Sequence, residues 1–230
     1  MAGVTSSTLA SRLGTMAVAI PTALLLVAVA IVPFLSPAWL DFEQGRAGSA
    51  AWAGLSETDV RTVTHAILGD LVLGPPDFDV TLGGEPALSP AERAHMQDVR
   101  DVFGAFYGAA AVGLAIVAVA FWLAGRGGVH WTRRDAWRGI LIGGLGLAAL
   151  IAVAGVVVAV AFDAAFEVFH RLFFAGGTYL FDPRTDRLVQ LFPEVFWSET
   201  AIAVGAATVV LALGSAWLAG RRLRGDGGEA

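Results

Sequence analysis

Four stretches of the chain are apolar for about 20 residues each, the length a helix needs to cross a bilayer. They run from Leu13 to Leu35, Val102 to Ala124, Gly139 to Phe162 and Ala201 to Ala219. The first is longer than the roughly 7–15 apolar residues of a signal peptide, so it reads as a retained span. Pro21 is expected to kink it, which a membrane helix tolerates when neighbours satisfy the freed carbonyl. The remaining segments are a tail at 1–12, a long segment at 36–101, a short loop at 125–138, a second long segment at 163–200 and a tail at 220–230. The expected fold is therefore an α-helical polytopic membrane protein, with the two long segments forming a small α+β cap.

Polar and apolar positions inside the long segments predict that cap in more detail. Ser56-Glu57-Thr58-Asp59 reads as a helix start. Val60, Val63, Ile67, Leu68 and Leu71 then follow helical spacing until Leu73-Gly74-Pro75-Pro76. Phe78, Val80 and Leu82 alternate with polar residues, which predicts a strand closed by Gly83-Gly84. Ser89-Pro90-Ala91-Glu92 is a capping box with proline at the first helical position, opening a helix that runs into the second span. In the second segment, Asp163 to Phe174 reads as the wet end of the third helix or its continuation, ended by Gly176-Gly177. Residues 178–181, 182–186 and 187–192 then read as strand, turn and strand, and Pro193-Glu194-Val195-Phe196-Trp197 leads to the fourth span. Gly143, Gly144, Gly146, Gly155, Gly205 and Gly214 allow close approach of span helices.

Charge orients the spans. The tails and the 125–138 loop carry eight arginines against three acids, net +5, while the two long segments carry seven arginines against seventeen acids, net −10. Arginine-rich flanks stay cytoplasmic, so both termini are expected inside and the cap outside. A 56% hydrophobic composition agrees with a membrane protein. The net charge of −5 without a basic stripe excludes a nucleic-acid role. The absence of cysteine excludes disulfides, thiol catalysis and cysteine metal sites, and also excludes the chain being an acylated lipoprotein itself.

Chemistry then rests on histidine. His95 and His170 are about 70 residues apart in sequence, yet the span count puts both at the same membrane surface. Imidazole is suited to moving protons near neutral pH. Asp98 lies three residues from His95, and Glu167 three from His170, on predicted helices, so each carboxylate could orient its imidazole. The bland alternative is two interfacial histidines bonded for structure. Glu167-x-x-His170 and His95-x-x-Asp98 together supply too few interior ligands for a di-iron bundle. His65 reads as solvated and His130 as an interfacial residue. Arg171 could hold a phosphate, ester or carboxyl oxygen of a lipid. Ser89 and Ser198 fit capping or turn roles, and no serine sits in a nucleophile elbow. A histidine enzyme here would be a general acid–base catalyst whose nucleophile comes from the substrate.

Two stretches carry a resemblance. Glu92-x-x-His95-Met96-x-Asp98-Val99-Arg100 precedes the second span. Phe166-x-x-Phe169-His170-x-x-Phe173-Phe174 is followed by Tyr179-x-Phe181-Asp182-Pro183-x-x-Asp186-x-Leu188 and Phe192-Pro193-Glu194-x-Phe196-Trp197. With four spans and both termini inside, this resembles the bacterial lipoprotein intramolecular transacylase family over roughly residues 10–220, with Tyr179 where the family pattern has Trp. The resemblance implies a diacylglyceryl lipoprotein substrate in a membrane-lipid setting. The sn-2 acyl chain would move to the N-terminal Cys amine and leave a lyso-form lipoprotein. It implies His95 and His170 as base and oxyanion partner in either order, Asp98 and Glu167 as orienting groups, and Arg171 and Tyr179 as substrate contacts. Ester-to-amide transfer is downhill, so no cofactor, ATP or metal is expected. The competing reading is a non-catalytic scaffold whose cap binds envelope lipid or protein, and a lipid hydrolase is a third.

Overall fold

The computed structural model describes residues 2–126, 131–174 and 177–225. His130 and Gly176 lie outside them, so the expectations for those two residues find no counterpart. Among the described residues, four helices are long and apolar enough to span a membrane. They are α1 (Ala2–Ile31), α5 (Pro90–Arg126), α6 (Arg133–Val160) and α9 (Glu194–Gly225). The chain divides into two compact units, and α5, α6 and α9 contribute residues to both.

The first unit takes residues 1–30, 106–154 and 205–230. Its helices meet through small side chains. Val18, Ala120 and Ala136 form one buried cluster, and Leu147, Ala148 and Ala212 another. In lipid there is little hydrophobic gain from helix association, so close packing has to hold the helices. Gly139 and Gly143 on α6 lie against the Thr15 and Ala19 carbonyls of α1, and Gly144 lies against the Ala212 carbonyl of α9. Gly146, Gly155 and Gly214 face open space, so the glycine stripe works at fewer positions than its length implies. Gly143→Val puts methyl groups onto the α1 backbone, which cannot rotate away. It is expected to lose about 1–3 kcal/mol, read as a lower melting temperature in detergent, while Gly146→Val leaves that temperature unchanged.

The second unit takes residues 31–105 and 155–204. A 3-10 turn at Val32–Phe34 leads to α2 (Pro37–Ala47), whose N-cap Ser36 accepts the Trp39 N–H. Gly48 turns the chain into α3 (Ser49–Ala53), and Gly54 ends it. Both glycines have positive φ, at 70° and 63°. α4 (Glu57–Val72) starts as expected, with Ser56 accepting the Asp59 N–H. Arg100 of α5 caps its far end by donating to the Asp70 and Gly74 carbonyls. The core joins Val60, Val63 and Ile67 of α4 with Phe78, Val80, Leu88, Met96, Leu188 and Leu191.

The Ser89–Glu92 capping box forms as read. Ser89 N–H donates to Glu92 Oε2, and Glu92 N–H donates to Ser89 Oγ. The same carboxylate reaches further, because its Oε1 accepts the Leu188 N–H. One buried glutamate thus ties the start of α5 to the second long segment.

The β content is smaller than expected. The only sheet among the described residues is a hairpin, β1 (Thr81–Leu82) antiparallel to β2 (Glu85–Pro86), turning on Gly83 and Gly84. The strand does not extend back to Phe78, whose φ of +50° leaves the extended region so that its ring can fill the core. The expected strand–turn–strand at 178–192 is also corrected. The Asp182–Asp186 turn is present, closed by Asp182 N–H on Asp186 Oδ2. After it, Arg187–Leu191 is a helix, α8, which buries Leu188 and Leu191 three residues apart on one face. Arg187 fixes α8 to α3 through the Ala53 carbonyl at 2.8 Å. The third span does not run on unbroken either. Ala161, at φ −144° and ψ 55°, separates α6 from α7 (Phe162–Phe173).

Candidate active site

His95 sits in the second turn of α5 and His170 near the end of α7. Their rings come together within the second unit, with centroids 6.1 Å apart and planes inclined by 24°. Both residues are nearly enclosed, at 6% and 8% exposure. The enclosure is aromatic. Phe174 and Phe181 stand edge-on to His95 at 4.9 and 5.5 Å. Phe166 lies 3.9 Å from the His170 ring and Tyr179 4.9 Å. These rings exclude water and hold both imidazoles in place.

The two histidines have different polar surroundings. His170 Nδ1 is 2.8 Å from the Phe166 carbonyl, one helical turn back. A carbonyl can only accept, so Nδ1 carries the hydrogen and Nε2 keeps its lone pair. His95 Nδ1 is buried and has no hydrogen-bond partner among the described residues. An orphaned buried polar atom is uncommon and calls for an explanation, a substrate contact being one.

Burial pushes the His170 pKa below the ordinary imidazole value of 6.5. The Phe166 carbonyl and the Glu167 charge oppose that without reversing it. The neutral base is therefore favoured, and acidification must go below 6.5 to protonate it. NMR titration of 13C-histidine-labelled protein, with His170→Gln to assign the signal, is expected to show a midpoint under 6.5. A midpoint above it would contradict the burial argument.

The expected orienting carboxylates are otherwise engaged. Asp98 Oδ2 accepts from Thr178 Oγ1 at 3.3 Å, with no hydrogen bond to His95. Glu167 Oε1 accepts from Arg171 Nε at 2.6 Å and from the Tyr179 hydroxyl at 3.2 Å. A carbonyl of its own helix, not Glu167, holds the His170 ring. Glu167 instead fixes Arg171 and Tyr179, and the Tyr179 ring packs on His170. Arg171 is exposed at the edge of this group. Sequence reasoning did not single out Phe166, Phe174 or Phe181 as site walls, although their aromatic spacing had been visible.

Other ionisable groups stand apart from the pair. His65 is not merely solvated, since its Nε2 lies 2.8 Å from Asp41, which also pairs with Arg61. Glu43 on α2 is 1% exposed, and its Oε1 has no partner among the described residues. Burial, reinforced by Glu199, pushes its pKa up to about 7. Glu199 meanwhile makes a two-pronged bond with Arg46. Nothing in the sequence marked Glu43, because α2 had not been foreseen.

Comparison with known proteins agrees with this architecture. A search of curated proteins finds no match. Solved structures of the membrane integral lipoprotein intramolecular transacylase Lit from Bacillus cereus do resemble the chain. One shares 22% identity at a TM-score of 0.70, covering 93% of this chain and 94% of the other. A second, carrying a histidine-to-arginine mutation, shares 20% at 0.72 over 97% and 96%. A third, with a histidine-to-alanine mutation, shares 19% at 0.76 over 99% and 100%. The model of one family, lipoprotein intramolecular transacylase Lit, matches residues 15–197. With the matched residues extending from the first span to the start of the fourth, the chain belongs to the lipoprotein intramolecular transacylase Lit family.

Proposed function

We propose that the chain moves the sn-2 acyl group of a diacylglyceryl lipoprotein to the amine of its N-terminal cysteine, with His170 as general base and His95 as the oxyanion partner. The observation that carries this reading is the enclosed approach of the two imidazoles, with the lone pair on His170 Nε2 set by the Phe166 carbonyl. Amine and ester belong to one substrate molecule, so holding them together supplies the effective concentration and no protein nucleophile is needed.

In the first step the amine nitrogen attacks the ester carbonyl while Nε2 of His170 takes the amine proton. The carbonyl oxygen becomes an oxyanion, and the unpartnered ring nitrogen of His95 donates a hydrogen bond to it. In the second step the bond from the carbonyl carbon to the glycerol oxygen breaks. The His170 imidazolium returns its proton to that oxygen, leaving an amide and a free hydroxyl. Arg171 and Tyr179, joined through Glu167, contact the polar part of the lipid at the edge of the site. Asp98, through Thr178, steadies the loop that carries Tyr179 and Phe181. The arginine-rich flanks support both termini lying inside, and with that a reaction on the outer face.

A lipopeptide with an isotopic label on the sn-2 chain alone tests the route. The labelled chain is expected on the cysteine nitrogen of the product. Label retained on glycerol, or released as free fatty acid, would refute the proposed transfer, the latter pointing to hydrolysis.

A further inference from the structure

The first unit carries eight arginines, and Asp135 is its single acid among the described residues, Asp226 and Glu229 lying outside them. Asp135 is fully occupied. Its oxygens accept from Ser11 Oγ, from Thr132 N–H and Oγ1, and from Arg138. Arg138 makes the only ion pair among these arginines in the described residues. The others crowd the same ends of the helices with no protein countercharge described beside them.

Two of these arginines share a cavity. Arg133 from the start of α6 and Arg222 from the last turns of α9 line a hollow of about 260 Å3, whose remaining wall is Phe121 and Trp137. The two aromatic rings pack edge to face at 5.1 Å, and the Arg222 guanidinium lies 5.9 Å from the Trp137 ring. The Arg133 guanidinium rests on Gly125, where a side chain would collide with it, at the carbonyl end of α5. It thus lies near the negative end of the α5 helix dipole, which favours a cation there. Arg222 also borders a second hollow of about 400 Å3, lined by Leu218, Arg221 and Gly225. Leu218 is one helical turn from Arg222 on the same face and is exposed.

We propose that this double hollow binds an anionic glycerophospholipid, with its phosphate between Arg133 and Arg222 and an acyl chain running along Leu218. Guanidinium forks match phosphate oxygens two at a time, and their charge stays fixed at any physiological pH. Phe121 and Trp137 back the hollow on one side, and the exposed Arg133 and Arg222 leave it open to an incoming headgroup. A free phosphate ester would use the arginines but leave the exposed Leu218 uncovered, which favours the lipid. The site is independent of the histidine pair and of the acyl transfer proposed there.

Native mass spectrometry of the full chain in detergent tests this. With equimolar dioleoylphosphatidylglycerol and dioleoylphosphatidylcholine, retention is expected to favour the anionic lipid about ten-fold. R133Q/R222Q removes the preference, while R12Q, which alters an arginine outside the hollow, keeps it. R222Q alone serves if the double variant does not fold. Equal retention of the two lipids, or a preference that survives both hollow variants, would overturn the proposal. Displacement of the lipid by glycerol phosphate at equal concentration would assign the site to a free phosphate ester instead.

Discussion

Purified His170→Ala is expected to transfer the acyl chain about 10²–10⁴-fold more slowly than the parent chain, the range typical of losing a positioned general base. The loss should fall on the chemical step. In the proposed mechanism His170 Nε2 meets the amine proton, whereas lipid binding would draw on Arg171, Tyr179 and the apolar surface. Single-turnover rates at saturating lipopeptide measure this directly. His170→Gln keeps polarity and approximate size without a basic nitrogen, and should fall as far as alanine. His95→Ala should also be severe, since a buried donor to an oxyanion is worth about 2.7–4 kcal/mol in well-studied hydrolases. A His170→Gln protein that retains more than a tenth of the parent rate would show that His170 is not the base.

The second large effect is on folding. Glu92 is 2% exposed and accepts the N–H groups of Ser89 and Leu188, one from each long segment. Glu92→Ala leaves both donors unsatisfied and opens a cavity beneath α8. A charge-assisted bond is worth about 1.5–3 kcal/mol, and an orphaned buried N–H costs about 1–3 kcal/mol. A loss of about 3 kcal/mol or more is therefore expected, seen as a marked drop in melting temperature in detergent. Glu92→Gln keeps one oxygen acceptor and should recover part of it. Because Glu92 lies one turn before His95, the same change should disturb the contact between His95 and Phe181. Unchanged melting in Glu92→Ala would mean that the two segments are held together by apolar packing alone.

The parts of this architecture legible in the sequence are those dictated by local chemistry. About 20 consecutive apolar residues can satisfy their backbone in lipid only as a helix, so the four spans could be read directly. Ser56 and Ser89 announce helix starts through their own side chains, and both caps form. What stayed hidden depends on partners far away in the chain. Residues 187–192 look like a strand by composition, yet Leu188 and Leu191 keep helical spacing, and Glu92 supplies the acceptor at the helix start. α2 and α3 are short and mix polar with apolar positions, so their stability comes from packing and from Gly48 and Gly54, not from a periodic pattern.

The site shows the same division. Residue type singled out His95 and His170 as candidates, span counting put both at one membrane surface, and their rings lie 6.1 Å apart. Their hydrogen bonds could not be read from i,i+3 spacing. Any helical histidine can bond the carbonyl one turn back, as His170 does with Phe166. Glu167 was claimed by a tyrosine that the 177–186 loop returns to it. The aromatic enclosure likewise arises only when that loop closes over the two helices.

The most direct test of the central claim is the N-terminal lipopeptide mass of a reporter lipoprotein, co-expressed with this chain in a host whose own N-acylation is disabled. The account predicts an N-acylated lyso-form with the parent chain, and the unmodified diacylglyceryl form with His95→Ala or His170→Ala. A diacylglyceryl form that persists with the parent chain verified in the membrane, or a lyso-form that survives both substitutions, would contradict it.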